Sequence, residues 1–215
     1  MIITIDGPAA SGKSTVAKVL AKNLGFYYLY TGLLYRAVAY VLVEKFKILP
    51  ELFPNLISTD LGFIGDIKYF YENGEPKVLY KNEDITQFLK NSLLDQASSI
   101  ASANSFVREA LISLQRDVAN NYDIVADGRD CGSVVFPNAD YKFYLTANVE
   151  CRAKRKSLQE VISFDEALAS LKERDARDVQ RIVAPLKIPM NAIIIDNTEL
   201  DTPKTIETFL NYLKN

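Results

Sequence analysis

Residues Gly7-Pro8-Ala9-Ala10-Ser11-Gly12-Lys13-Ser14-Thr15 fit the spacing G-x-x-x-x-G-K-[ST] and stand between an apolar run, Met1 to Ile5, and a helical pattern. Few folds admit that spacing, because such a loop needs a strand to deliver it to the N-terminus of a helix. Gly7 and Gly12 let the backbone turn where a Cβ would clash, so successive N–H groups point inward at a polyphosphate and the helix adds its positive end. Lys13 then reaches the β- and γ-phosphates of a nucleotide, and Ser14 offers its hydroxyl to Mg²⁺. A glycine turn that bound nothing would have no structural use for Lys13 and Ser14 at those places.

Composition removes several competing chemistries. The chain has 215 residues and no histidine, which excludes Ser-His-Asp hydrolysis, Cys-His proteolysis and His-ligated zinc together. Its two cysteines, Cys131 and Cys151, are too few for a disulfide framework or a four-cysteine metal site, and they fit a reducing cytosol. A net charge of −2 leaves no electrostatic footprint for nucleic acid or an anionic membrane, so any anionic ligand must meet locally clustered arginines. No leader is expected ahead of a loop that begins at residue 7, and no apolar stretch approaches membrane-spanning length. With 48% hydrophobic residues, one α/β domain over residues 1–215 is expected, large enough to bury a substantial core.

Taken in order, Ile2 to Ile5 reads as a parallel strand covered on both faces, and the helix after the loop carries Val16, Val19, Leu20 and Leu24 on one stripe. Phe26 to Tyr30 reads as a second strand, followed by a helix from about Leu33 to Phe46; strand-helix-strand-helix begins a doubly wound sheet. Ligands in such sheets bind beyond the carboxyl ends of the strands, which marks Thr31, Tyr35 and Arg36. Residues 47–63 read as an irregular connection. Alternation from Ile67 to Tyr71, a turn at Glu72-Asn73-Gly74-Glu75 and a return through Val78 and Tyr80 predict a hairpin, assigned to an inserted β element over 61–86.

Helices are predicted around Thr86 to Ser99 and from Asn104 to Asn120, the second burying Phe106, Ala110, Leu111, Leu114 and Val118. The strand Ile124-Val125-Ala126 runs into Asp127-Gly128-Arg129-Asp130, where Asp127 is placed to partner Mg²⁺. Tyr141 to Leu145 and Ala192 to Ile195 complete five strands, and the last helix opens with Thr202 as N-cap and Pro203 as its first residue. Between those strands, residues 152–181 form a charged helical region read as a lid with an arginine-rich helix. There Arg174, Asp178 and Arg181 fall at i, i+4 and i+7 on one face without an apolar stripe of its own. A solvated face with i,i+4 pairs such as Glu173 with Arg177 is the plainer alternative; the need to gather cations around a triphosphate favours a functional face.

These residues resemble the bacterial cytidylate kinase family of nucleoside monophosphate kinases. The resemblance rests on Ile5-Asp6-Gly7-Pro8-Ala9-Ala10-Ser11-Gly12-Lys13-Ser14, Thr31-Gly32 with Tyr35-Arg36, and Val107-Arg108-Glu109-Ala110-Leu111. It continues through Ala126-Asp127-Gly128-Arg129-Asp130 with Val134-Val135-Phe136-Pro137, and Glu173-Arg174-Asp175 through Arg181 with Ala184-Pro185-Leu186. It implies a P-loop NTPase fold, a doubly wound five-stranded parallel sheet with helices on both faces, and transfer of the γ-phosphoryl of ATP to CMP or dCMP with Mg²⁺. Composition and patterning add the expectation of a cytoplasmic protein that binds neither nucleic acid nor membrane, and of a monomer, because no exposed apolar helix is evident. Carried over by position, Ser99, Arg108 and Asp130 match the cytosine-binding residues and Asp178 the sugar contact. Arg36, Arg129, Arg174 and Arg181 match the phosphate contacts.

Three departures from the family pattern stand out. Tyr30 occupies a place where Asp commonly precedes the Ser/Thr-Gly pair, so any Mg²⁺-water or phosphate-side role of that carboxylate is either absent or supplied by Asp127. The segment between Lys156 and Phe164 is shorter than usual, which implies a trimmed lid; Lys90 also stands where arginine is frequent. A kinase for another small acceptor is the nearest rival, while a nucleotide switch is disfavoured because no N-K-x-D guanine-reading motif is present.

Cytosine offers an N4 amino donor beside acceptors N3 and O2, so a carboxylate and an arginine read that edge as a pair, whereas uracil would set both against like partners. Such mispairing costs roughly 1–3 kcal/mol or more. Asp130→Ala is therefore expected to raise KM for CMP more than KM for ATP in a coupled assay, and an unchanged CMP dependence would remove Asp130 from base reading.

Overall fold

The computed structural model describes residues 1–213, which divide into two compact units, one of residues 1–27 with the chain from Asp123 on and one of residues 28–122. The main sheet has five strands in the order β2-β6-β1-β7-β8. They are β1 (Ile2–Asp6), β2 (Tyr27–Tyr30), β6 (Ile124–Gly128), β7 (Tyr141–Thr146) and β8 (Ile193–Asp196). β1 runs parallel to both β6 and β7, and β7 parallel to β8. Ile3, Ile5, Ile124, Val125, Ala126, Phe143 and Leu145 are all fully buried; β1 and β6 accordingly read as near-continuous apolar runs, while β7 alternates between buried and half-buried positions after its first residue. Helix α7 (Thr202–Leu213) closes one side by setting Phe209 against Phe143, ring centroids 4.6 Å apart.

Helix α1 (Lys13–Leu24) buries Val16, Ala17, Leu20 and Ala21. The predicted stripe is thus rotated: Val19 and Leu24 are half-buried, and two alanines take their place. A small side chain lets the helix axis approach the sheet, a preference invisible to hydrophobicity alone. Asp201, not Thr202, caps α7; its carboxylate accepts the Lys204 N–H at 2.9 Å. The charged region resolves into two helices, α5 (Val149–Glu160) and α6 (Phe164–Gln180), broken at Val161 and restarted by a capping box between Ser163 and Glu166.

In the second unit α2 (Thr31–Tyr40) starts two residues earlier than predicted and passes into a π-helical turn over Val41–Lys45. β3 (Ile67–Glu72) and β4 (Glu75–Tyr80) pair antiparallel with Glu72 opposite Glu75, so Asn73 and Gly74 form a two-residue turn; β5 (Glu83–Asp84) adds a third strand. The predicted helix of 86–99 is a 3₁₀ turn, Thr86–Leu89, followed by α3 (Ser92–Ala101). Helix α4 (Ser105–Asn121) buries Val107, Arg108, Leu111, Gln115 and Val118; Phe106 is exposed, so the stripe lies about one residue from the predicted one and carries two polar side chains.

The connection over 47–63 is not structureless. It coils into 3₁₀ turns at Pro50–Asn55 and Ser58–Asp66, and Asn104 holds it down. The Asn104 amide donates to the carbonyls of Phe53 (2.9 Å) and Leu56 (2.8 Å) while its oxygen accepts the N–H groups of Phe106 and Val107 as the N-cap of α4. Asn104→Ala leaves these buried groups unpaired and is expected to lower stability by about 2–4 kcal/mol, and Asn104→Ser, which keeps the cap alone, by about half as much. Urea unfolding followed by circular dichroism measures both; equal losses would show that the cap contributes nothing.

Candidate active site

The phosphate loop leaves β1 in a conformation that fixes its first residue. Gly7 has φ +150°, and a Cβ there would lie 2.0 Å from the backbone oxygen of Leu145 on the neighbouring strand. Gly12 then starts α1 at φ +93°. Lys13 is buried and folds back on the loop, its Nζ donating to the Pro8 carbonyl at 2.6 Å and to Ser11 Oγ at 3.4 Å. Burial, and then the charge of Arg129, push the Lys13 ammonium well below its usual range.

Strand register brings the acidic residues to this loop. β6 lies beside β1 with Ile5 opposite Asp127 and Asp6 opposite Gly128. Asp127 therefore stands level with the loop, where its Oδ2 accepts the Ser14 hydroxyl at 2.7 Å. A hydroxyl and a carboxylate are hard oxygen donors, and Mg²⁺ in kinase sites takes only one or two protein ligands with phosphate and water supplying the rest. Among the described residues no group of three or more His, Cys, Asp or Glu could hold a metal ion by itself.

Beyond the strand ends the arginines come in pairs with carboxylates. Arg129 Nε donates to Asp178 Oδ2 at 2.8 Å, and Arg181 contacts Asp130 Oδ1 at 3.3 Å with both side chains nearly buried. Although burial disfavours charge on each, Asp178 holds Arg129 above its usual range, and Arg129, Arg174 and Arg181 hold the Asp178 carboxyl below its own. Arg174 also bears on Lys13 electrostatically. Lys13, Arg129, Arg174 and Arg181 thus gather within the first unit with Asp127, Asp130 and Asp178. The face predicted for 174–181 is corrected in one respect: α6 ends at Gln180, and Arg181 sits in extended backbone beyond it, donating through Nε to the Ala184 carbonyl.

The remaining predicted residues lie in the second unit. Thr31 opens α2; Arg36 on the same helix pairs with Asp95 and donates to the Leu89 carbonyl at 3.1 Å. Arg108 is 1% exposed, donates to the Ser102 carbonyl at 3.0 Å and lies over the ring of Tyr35, 5.4 Å from its centroid. The buried Ser99 Oγ has no hydrogen-bond partner among the described residues, an orphaned polar atom that a ligand would satisfy. Tyr30 stacks on Tyr28 with centroids 6.0 Å apart.

Two residues to which the sequence reading gave no role support the loop. Asn197 donates to the Ser11 carbonyl at 3.0 Å and is itself held by Arg155 at 3.0 Å. Asp6 accepts the backbone N–H groups of Cys131 (2.8 Å) and Gly132 (2.7 Å), which ties the end of β1 to the turn following Asp130. No periodicity links positions so far apart; the polar break that Asp6 makes in an apolar strand was the available signal.

The family model described as cytidylate kinase matches residues 3–215. The chain is 43% identical to a cytidylate kinase of Thermodesulfovibrio yellowstonii, covering 97% of this chain and 96% of that one. It is 39% identical to cytidylate kinase 1 of Haemophilus influenzae, covering 100% and 94%. Among solved structures it is similar in fold to shikimate kinase from Bacteroides thetaiotaomicron, with TM-score 0.50, 14% identity and coverage of 100% and 99%.

Burial pushes the Asp6 carboxyl up to about 6, against the pull of the Gly132 and Cys131 amides. A folded value above the unfolded one means that folding favours the protonated form, so this contribution is complete below about pH 4 and is lost as pH rises through about 6. Wild type is expected to lose stability relative to Asp6→Asn over that window, by an amount on the order of 2–3 kcal/mol at about 1.4 kcal/mol per pK unit. Urea midpoints of the two proteins at stepped pH test this, and a wild type that gains on the variant with rising pH would reverse the assignment.

Proposed function

The chain belongs to the cytidylate kinase family, and from that premise we propose how its residues divide the work of the reaction. It is a nucleoside monophosphate kinase that moves the γ-phosphoryl group of ATP to CMP or dCMP, giving ADP and CDP or dCDP. The observation that carries the proposed roles is that Lys13, buried in the loop of residues 7–15, feels the charges of Arg129 and Arg174, while Arg129, Arg174 and Arg181 all bear on Asp178.

The acceptor phosphate is already an oxyanion nucleophile, so the reaction asks for no general base, which agrees with a chain that has no histidine. Positioning and charge neutralisation remain, and they are what this group supplies. Gly7, Pro8, Ala9, Ala10, Ser11, Gly12, Lys13, Ser14 and Thr15 form the proposed ATP cradle. Burial and neighbouring cations push the Lys13 ammonium below its usual range; a polyanion beside it offsets the cation repulsion and offers Nζ a phosphate oxygen in place of the Pro8 carbonyl. Arg129, Arg174 and Arg181 clamp the transferring group.

Ser14 and Asp127 would hold Mg²⁺, which when bound neutralises charge on the β- and γ-phosphates. Thr31, Tyr35 and Arg36 are the proposed acceptor-side residues, with Arg36 on the phosphate and Asp178 on the sugar. Ser99, Arg108 and Asp130 are the proposed readers of the cytosine edge, on the donor-acceptor argument already made. A cytoplasmic monomer without a nucleic-acid partner is the accompanying proposal, supported by the net charge of −2; among the described residues no helix is long and apolar enough to cross a membrane.

Incubation with ATP, Mg²⁺ and a panel of CMP, dCMP, UMP and AMP, followed by product analysis, tests acceptor choice: CDP and dCDP are expected to dominate. Truncating Arg129, Arg174 or Arg181 singly to Met is expected to lower kcat by about 10² to 10³, as for loss of one oxyanion donor. A loss confined to KM would make that arginine a binding residue outside the clamp.

A further inference from the structure

Ala9, in the middle of the phosphate loop, is held at both its N–H and its C=O, one from each of the two peptide groups that meet at its Cα, by a single ion pair. Arg152, on α5, donates from one terminal nitrogen to the Ala9 carbonyl at 3.1 Å and to Asp175 Oδ2 at 2.6 Å, and from Nε to the Ala147 carbonyl at 3.0 Å. Asp175, on α6, accepts the Ala9 N–H through its other oxygen at 3.3 Å. The Arg152 side chain is 8% exposed and that of Asp175 20%. Ala9 also packs in an apolar cluster with Ala153, Ala167 and Leu171, so both helices hold the loop by contact as well as by charge.

The two kinds of contact do different things. An apolar cluster keeps water out but does not orient a peptide plane, whereas hydrogen bonds to its N–H and C=O do. Desolvating a guanidinium is unfavourable unless geometry and partners are good, and here three acceptors surround it. Packing alone would be served by more alanine or leucine at positions 152 and 175.

We propose that Arg152 and Asp175 are positioning residues for the donor nucleotide. The pair fixes the two peptide planes on either side of the Ala9 Cα, and through them the direction of the N–H groups from Ala10 to Ser14 that face the donor phosphates. It also makes the loop and the α6 turn bearing Arg174 and Asp178 one mechanical piece. The inference rests on the reading of residues 7–15 as the ATP cradle.

Its test is the separation of donor from acceptor effects in the full-length protein. Isothermal titration with ATP alone and with CMP alone, together with initial rates, is applied to Arg152→Met, Arg152→Lys, Asp175→Asn and the Arg152→Met/Asp175→Asn double variant. Misplacing the loop is expected to weaken ATP binding by about 10- to 100-fold while CMP binding changes by less than about threefold. Lysine at 152 should recover part of the loss, and the double variant should be no weaker than Arg152→Met, since either change opens the same clasp.

ATP affinity within about twofold of wild type in a folded Arg152→Met protein overturns the proposal, as do equal losses for ATP and CMP. Should Arg152→Met not fold, Asp175→Asn decides by the same ratio. Lys13→Met separates the two readings: if it weakens ATP binding while the clasp variants do not, the clasp alone fails. If it too leaves ATP binding unchanged, the cradle reading fails and the clasp with it.

Discussion

Cations can be kept out of water only beside something that compensates them, and the first unit is arranged around that requirement. Taking a guanidinium or an ammonium into a protein interior costs several kcal/mol unless partners replace the lost hydration. Arg129 has Asp178, Arg181 has Asp130 and Arg152 has Asp175. Lys13 is treated differently: it leans on the Pro8 carbonyl and the Ser11 hydroxyl, and it is the cation whose charge the surroundings most oppose. Burial opposes an ammonium so placed, which is why the proposed contact with a polyanion falls on this side chain.

The sheet delivers those partners in register. Because β1 and β6 run parallel with Ile5 beside Asp127, the strand that ends in the loop and the strand that ends in Asp127-Gly128-Arg129-Asp130 finish at the same level. Asp6 then binds the Cys131 and Gly132 amides, which fixes how the chain turns after Asp130 and so where Arg129 and Asp130 point. A sheet slipped by two residues would preserve every buried isoleucine face and still separate Ser14 from Asp127.

The second unit uses the same economy of polar groups on an apolar face. Helix α4 buries Arg108 and Gln115 in line with Val107, Leu111 and Val118. The Arg108 guanidinium is held by the Ser102 carbonyl and the Tyr35 ring, and the Gln115 amide by the Leu111 carbonyl at 2.9 Å. Polar side chains placed so deep are costly unless a specific arrangement requires them, which is why Arg108 and the unpartnered Ser99 Oγ stand out there as candidate ligand contacts.

By itself the sequence determined the strand-loop-helix start, the five apolar strands, the Asn73-Gly74 hairpin turn and the identities of the clustered cations. Each of these is local chemistry: a spacing of glycines, an apolar run, a turn dipeptide, a motif. Which helix face is buried was legible only to within a residue or so, since Ala17 and Ala21 displaced Val19 and Leu24 and Arg108 and Gln115 entered a face that hydrophobicity would leave polar. The end of α6 before Arg181 and the capping of α7 by Asp201 turned on competition between neighbouring hydrogen-bonding groups. Only the tertiary structure decided that Asp6 holds residue 131, that Asn197 holds Ser11 and that Arg152 with Asp175 holds Ala9. These bonds join positions up to 186 apart in the chain, and no local pattern encodes a distance that exists only after the sheet has closed.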